Sequence, residues 1–250
     1  MFGDKNPFIF GIPIEGPSLA ELSSLVKKRT DEAKATWIVT ANPEILLLAN
    51  RDKTYADAIR NADVRTVDGF GLWLALRLMG HRATRLTGVD LSEALILQAD
   101  REHQRVALIG GGPGVAQAAA DRIKLQHPLL AIHAEQGGFI AKDGTDDDQG
   151  EEARHRLTLF DPQILLVAFG NPKQERWILR NAGEFPNLRL VMGIGGTLDF
   201  WAGNICRAPA WMQKIGLEWL WRLFVEPKRW RRIWNAVVVF PWIVFKTNCL

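Results

Sequence analysis

Short apolar runs rich in β-branched residues alternate along this chain with stretches whose apolar positions return every three or four residues. Trp37-Ile38-Val39-Thr40-Ala41 reads as a strand. Asn42 then stands as the N-cap of a helix from Pro43 to Asn50, with proline at the first helical position. Val64 to Val67 is a short strand ending at Asp68-Gly69, ahead of an amphipathic helix from Phe70 to Met79. The pattern continues with a helix over Asp90 to Glu102, a strand over Arg105 to Ile109 and the glycine turn Gly110-Gly111-Gly112-Pro113-Gly114. A helix over Val115 to Gln126, a strand over Leu129 to His133 and a helix over Glu151 to Phe160 follow. Gln163 to Phe169 is almost wholly apolar, the mark of a strand covered on both faces. After it come a helix from Pro172, a strand over Leu188 to Met192 and a second glycine turn, Gly193 to Gly196. The segment from Ala141 to Glu152, with Asp143, Asp146, Asp147 and Asp148, reads as a polar loop, and no internal repeat is present.

Strands alternating with helices predict an α/β fold built on a mainly parallel sheet with helices on both faces. Ligands in such folds gather at the carboxyl ends of the strands, near the point where strand order reverses. Asn42, Asp68, Gly110 to Gly114, Asn171 and Gly193 to Gly196 all fall at those ends.

The last forty residues change character. They hold six of the ten tryptophans, Trp211, Trp219, Trp221, Trp230, Trp234 and Trp242, among seven cations and only two glutamates, a net charge of +5 in a chain whose total is +3. Indoles favour the lipid headgroup layer, and cations favour anionic lipids or phosphates. The longest apolar run there, Ile233 to Phe245, is about thirteen residues and contains Asn235 and Pro241, whereas a spanning helix needs about twenty. The expectation is a catalytic domain over 1–205 and a basic, Trp-rich, α-helical appendage over 206–250 that lies on a membrane without crossing it. Overall composition, 47% hydrophobic and 24% charged, suits a folded core. Cys206 and Cys249 offer neither a bridge framework nor metal spacing, which fits a reducing cytosol, and the amino terminus carries no export signal.

Several positions could carry chemistry. The turn at Gly110, Gly111 and Gly112 could let backbone amides approach a diphosphate, but it lacks the full dinucleotide fingerprint, and a plain strand–helix turn explains it nearly as well. Asp68 is either the first residue of an Asp-Gly turn or a carboxylate placed to take a proton from an attacking hydroxyl. Arg85, ahead of Thr87-Gly88, could meet a phosphate or belong to a solvated loop. Lys173 in the first turn of a helix opposes the helix dipole, which points to an anionic ligand or an ion pair close by. Asp199, after Gly195 and Gly196, could hold a sugar hydroxyl or cap a helix. The five histidines show no metal spacing and no nucleophile partner.

Five segments in order carry a resemblance: Thr40-Ala41-Asn42-Pro43-Glu44; Val67-Asp68-Gly69; Arg85-Leu86-Thr87-Gly88-Val89-Asp90-Leu91; Gly170-Asn171-Pro172-Lys173-Gln174-Glu175; and Arg207-Ala208-Pro209 through Gly216 to Arg222. Together they resemble the bacterial WecG/TagA/CpsF glycosyltransferases (glycosyltransferase family 26) from about residue 8 to residue 232; the match stops before the apolar stretch. The resemblance implies a Rossmann-like catalytic domain and an appendage on the cytoplasmic membrane face. It also implies an inverting transfer that needs no metal or other cofactor, from a UDP-sugar to a polyprenyl-diphosphate-linked sugar in surface polysaccharide synthesis. The donor sugar stays open among N-acetylmannosamine, its uronic acid and glucose.

Carried over by position, Asp68 would be the general base. Thr40 and Asn42 would line the sugar pocket, and Arg85 and Gln174 would contact donor or acceptor. Gly110 to Gly112, Gly195 and Gly196 would border the nucleotide, with Asn171, Lys173, Glu175 and Asp199 in the same cleft. Arg207, Arg222, Arg229 and Arg232 would close over the diphosphate, Arg207 and Arg222 foremost. The rivals are a nucleotide-dependent oxidoreductase using the 110–114 turn and a non-catalytic membrane or nucleic-acid binder using the tail. The net charge of −2 on residues 1–210 and the polar residues gathered at strand ends argue against a mere binder, and no nucleic-acid partner is expected. No heptad pattern specifies an oligomer, and a homo-oligomer stays open.

Overall fold

The apolar runs form strands and the longer periodicities form helices, in a computed structural model that describes residues 6–248. A two-stranded hairpin, β1 (Phe8–Ile9) and β2 (Ile12–Pro13), opens the chain. Helix α1 (Leu19–Asp31) follows, started by a reciprocal capping box between Ser18 and Glu21. Next come β3 (Thr36–Ala41), α2 (Pro43–Arg51), α3 (Lys53–Arg60), β4 (Val64–Val67), α4 (Phe70–Leu78) and α5 (Gly88–Arg101). Then follow β5 (Val106–Gly110), α6 (Val115–Gln126), β6 (Ile132–Glu135), α7 (Asp148–Phe160), β7 (Ile164–Ala168), α8 (Lys173–Asn181), β8 (Leu190–Gly193) and α9 (Thr197–Ala202). The last six strands make one parallel sheet in the order β4-β3-β8-β7-β5-β6, a Rossmann-like α/β arrangement.

Side-chain alternation along these strands builds two cores. Trp37, Val39 and Ala41 of β3 pack on one face with Ala107, Ile109, Leu165, Val167 and Val191. Ile38 packs on the other with Val106, Leu108, Ile164, Leu166, Leu190 and Met192. Both faces are covered, so neither set of positions is free to be polar, and the strands read as continuous apolar runs. Register then aligns the carboxyl ends: Ala41 sits opposite Val67, Val167 opposite Gly193, and Gly110 opposite Ala168. The chain steps outward from β3 to β4 on one side and from β5 to β6 on the other, and the later strands β7 and β8 fill the space between, so a crevice opens above the centre.

Several boundaries differ from the sequence reading, and three of the shifts have a local cause. Strand β6 begins at Ile132 because residues 127–130 turn, with the Leu130 amide donating to the His127 carbonyl at 3.1 Å. Leu129 is spent at that corner and lies exposed. Helix α7 begins at Asp148, since Asp147 caps it by accepting from the Gly150 amide at 2.9 Å, so the polar loop ends sooner than expected. Helix α5 starts at Gly88 with Thr87 as its cap, two residues before the expected start.

Beyond α9 the chain is helical: α10 (Ala210–Lys214), α11 (Glu218–Val225), α12 (Trp230–Trp234), a π-helical stretch (Asn235–Val239) and α13 (Phe240–Asn248). Phe240 and Val244 are buried and join the core that holds β3 and α4, and the Phe240 ring meets Phe10 edge-on at 6.0 Å. Gly71 on α4 faces the Ala236 carbonyl, where a Cβ would lie 2.0 Å from the oxygen; only glycine permits this backbone approach. Trp230, Trp234, Val238, Trp242 and Phe245, spaced by four or three residues, remain exposed as an apolar stripe. Among the described residues no helix is long and apolar enough to cross a membrane. Cys206 is exposed and free, and Cys249 lies outside the described residues.

Candidate active site

A cleft of about 500 Å³ opens at the carboxyl ends of β3, β4, β7 and β8, roofed by α11 and α12. Another cavity, about 560 Å³, lies between α1 and α5 at the amino ends of β7 and β8, lined by Leu22, Leu91 and Leu95 among others. It gathers none of the residues at the carboxyl ends of the strands, so the candidate site is the first.

Asp68 follows β4 directly. Its Oδ2 accepts from the Gly88 amide at 3.3 Å, the first residue of α5. Thr40, near the end of β3, lies beside it: a Cβ on Gly88 would sit 3.5 Å from Thr40 Oγ1 and 3.6 Å from Asp68 Oδ2. Burial raises the Asp68 carboxyl to about 6; the Gly88 hydrogen bond pulls it down, Glu218 pushes it up, and Arg222 and Arg85 pull it down. Burial outweighs the favourable helix N-terminus, and the group becomes a carboxylate poised to accept a proton near neutral pH.

Asn42 caps α2, its Oδ1 accepting from the Ile45 amide at 3.0 Å, and it also lines the cleft. Arg85 pairs with Val67 at the sheet edge and donates to the Gln213 carbonyl, tying the wall of the cleft to the tail. Gln174 Oε1 accepts from the Gly170 and Gly195 amides, each at 3.2 Å. Its Nε2 donates to Asn171 Oδ1 at 3.0 Å and to Glu175 Oε1 at 2.7 Å. Glu175 is buried beneath this bond, and burial raises its carboxyl to about 7.

From the sequence-derived set, the cleft is lined by Thr40, Asn42, Asp68, Arg85, Gly111, Asn171, Gln174, Gly195, Gly196, Asp199, Arg222 and Arg232. The remainder sit elsewhere. Gly110 packs where a Cβ would lie 2.7 Å from the Ala168 carbonyl carbon on the paired neighbouring strand β7, and Gly112 and Lys173 fall outside the lining. Lys173 places its ammonium over the Phe139 ring at 5.3 Å. Arg207 turns to carboxylates, bonding Asp90, Glu218 (3.2 Å) and Glu93 (3.5 Å), because three anions from α5 and α11 surround it. It braces the tail against α5, and Arg232, paired with Glu44 at 2.6 Å, takes a place at the cleft instead. Arg222 rests on the Phe200 ring at 5.0 Å. The Arg229 side chain lies outside the described part of the chain.

The sequence reading passed over Glu218, Trp219 and Ala236, which line the cleft, and Gly88, whose amide holds the carboxylate. Glu218 and Arg222 stand four apart on one helix, a spacing that places them on one face. The Thr87-to-Asp90 capping pattern likewise marks the start of α5.

Comparison with known proteins finds a family match over nearly the whole chain. A family model described as "Glycosyl transferase WecG/TagA/CpsF family" matches residues 8–249, so the match runs through the apolar stretch where the motifs alone stopped. An N-acetylglucosaminyldiphosphoundecaprenol N-acetyl-beta-D-mannosaminyltransferase of Bacillus spizizenii is 33% identical over 213 residues, covering 85% of this chain and 80% of that protein. Proteins of the same name from Bacillus subtilis and Staphylococcus aureus are each 30% identical, over 227 and 243 residues. The former match covers 90% of this chain and 86% of the relative, the latter 96% and 92%.

Proposed function

The chain belongs to the WecG/TagA/CpsF family of glycosyl transferases, and we propose that it transfers N-acetylmannosamine from a UDP-linked donor to the sugar of a polyprenyl-diphosphate acceptor, with inversion. The names of the relatives support the sugar and the lipid-linked acceptor. The observation that carries the reading is Asp68, a carboxylate with a proton affinity near neutrality in a cleft walled by Arg85, Arg222 and Arg232. Asp68 takes the proton of the acceptor hydroxyl as its oxygen attacks the anomeric carbon. The bond to the diphosphate breaks on the opposite face, and UDP leaves with the electron pair. The guanidinium groups take up the charge that develops there, a role they can fill without a metal ion.

A thermal-shift panel tests the donor. UDP and UDP-N-acetylmannosamine near 100 times their Kd should raise Tm by roughly 5 °C or more, and NAD should leave it unchanged. Stabilisation by NAD alone would assign the cleft to an oxidoreductase.

The acceptor's lipid anchor calls for a membrane surface, which we place at the exposed tail stripe on the cytoplasmic face. Deleting the tail would also strip Phe240 and Val244 from the core, so point replacements are the cleaner test. Replacing Trp230, Trp234 and Trp242 together by Gln should weaken co-sedimentation with phosphatidylglycerol vesicles by about tenfold or more. Unchanged sedimentation would show that these indoles do not face lipid.

A further inference from the structure

Two turns line the cleft side by side at the ends of neighbouring strands, one after β7 (residues 169–172) and one after β8 (residues 194–196), and a single side chain ties them together. Gln174 Oε1 accepts from Gly170 in the first turn and from Gly195 in the second, at 3.2 Å each. Its Nε2 gives one hydrogen to Asn171 Oδ1 at 3.0 Å and the other to Glu175 Oε1 at 2.7 Å. A primary amide has two donor hydrogens and two acceptor lone pairs, so its hydrogen-bonding capacity is used up within the protein. The reversed amide would set an NH₂ group against two backbone N–H donors and its oxygen against a carboxylate oxygen.

The fit is tight. A Cβ on Gly193 would fall 2.5 Å from Gln174 Nε2, so the amide occupies space that any other residue at 193 would take. Glu175 is 2% exposed and lies outside the cleft lining. Its carboxyl therefore meets Gln174 from behind, and its Oε1 accepts the second amide hydrogen at 2.7 Å.

We propose that Glu175 is a positioning residue for the transfer: its buried carboxylate holds the Gln174 amide in the one orientation that clamps the two glycine turns and presents Asn171 to the substrate. The inference rests on the transferase reading, and amide exchange provides a readout that does not depend on it. Glu175→Met keeps the volume and removes the acceptor, whereas Glu175→Gln keeps an acceptor oxygen.

Hydrogen exchange at the Gly170 and Gly195 amides should speed up on the order of 10- to 100-fold in Glu175→Met and stay within about threefold of wild type in Glu175→Gln. Transfer should follow the same pattern, kcat falling on the order of 10- to 100-fold in Glu175→Met and recovering in Glu175→Gln. In a Gln174→Ala background, Glu175→Met should cost less than about threefold more, since it acts through an amide already removed. Unchanged exchange at the two glycines in Glu175→Met would overturn the proposal. So would equal loss in the Met and Gln variants, or a full additional loss in the Gln174→Ala background. A wild-type protein inactive with every UDP-sugar tested would count against the transferase reading, while the exchange data still judge the clamp.

Discussion

Replacing Asp68 with Asn should lower kcat for sugar transfer by roughly 10²- to 10⁴-fold, the span that a general base contributes, while leaving donor affinity within about threefold. The substitution keeps shape and removes the proton acceptor. In the wild-type enzyme kcat/KM should fall by about tenfold for each pH unit below 6, where burial holds this carboxyl, and the Asn variant should lose that acid limb. The effect on stability has the opposite sign from the usual carboxylate. The folded group binds its proton more tightly than the unfolded one, because burial raises it from 3.8 to about 6. Its stabilising contribution is therefore fully present below the unfolded value and lost as pH rises through the folded one. The Asn variant should accordingly melt higher than wild type above pH 6, the usual trade of stability for function at a catalytic group. A folded Asn variant that keeps more than about a tenth of the wild-type rate would remove Asp68 from the base role.

Arg222→Ala should cost on the order of 10²- to 10³-fold in kcat, comparable with the loss of a charge-stabilising donor at a departing oxyanion. The side chain reaches the cleft from α11, supported by the face of the Phe200 ring at 5.0 Å. It also acts on the base, since its positive charge favours the ionised form of Asp68. Removing it should move the acid limb of kcat/KM to higher pH, a change that a purely structural loss would not produce. Arg222→Lys should leave the limb near its wild-type position while recovering only part of the rate, because an ammonium keeps the charge and loses the planar fork. A limb that stays in place in Arg222→Ala would separate Arg222 from the reacting centre.

Much of this arrangement was legible before any coordinates. The alternation of apolar runs and helical periodicities marked each strand of the parallel sheet, since strands buried on both faces have no polar side to show. Asn42 announced a cap because the short amide is one of the few groups able to satisfy a helix's first amides. Asp68, Asn171, Gly195 and Gly196 were visible as polar or glycine positions where strands end. The miss at Leu129 arose because a turn can spend a leucine at a corner, and composition does not distinguish that from burial. Arg207 was misplaced because a cation's preference among anions depends on which carboxylates fold against it, here Asp90, Glu93 and Glu218. Gln174 lines the cleft as its place in the sequence suggested, but that its amide also ties Gly170 to Gly195 and needs glycine at 193 follows only from the fold.

The tail shows the division most plainly. By itself the sequence determined that residues 211–250 are cationic, indole-rich and too short in apolar length to span a bilayer. It likewise marked the strands of the parallel sheet and the residues that stand at their ends, though not the opening hairpin, α1 or α3. These are properties of neighbours along the chain, set by side-chain period and local hydrogen bonding. Only the tertiary structure decided that Phe240 and Val244 turn inward while Trp230, Trp234 and Trp242 turn out, and that Arg222 and Arg232 reach the cleft while Arg207 braces α5. It alone also set the proton affinity of Asp68, because the burial, the Gly88 amide and the charges of Glu218 and Arg222 all come from segments distant in sequence. Desolvation and Coulomb forces act through space, so they take their values only once the chain has closed on itself.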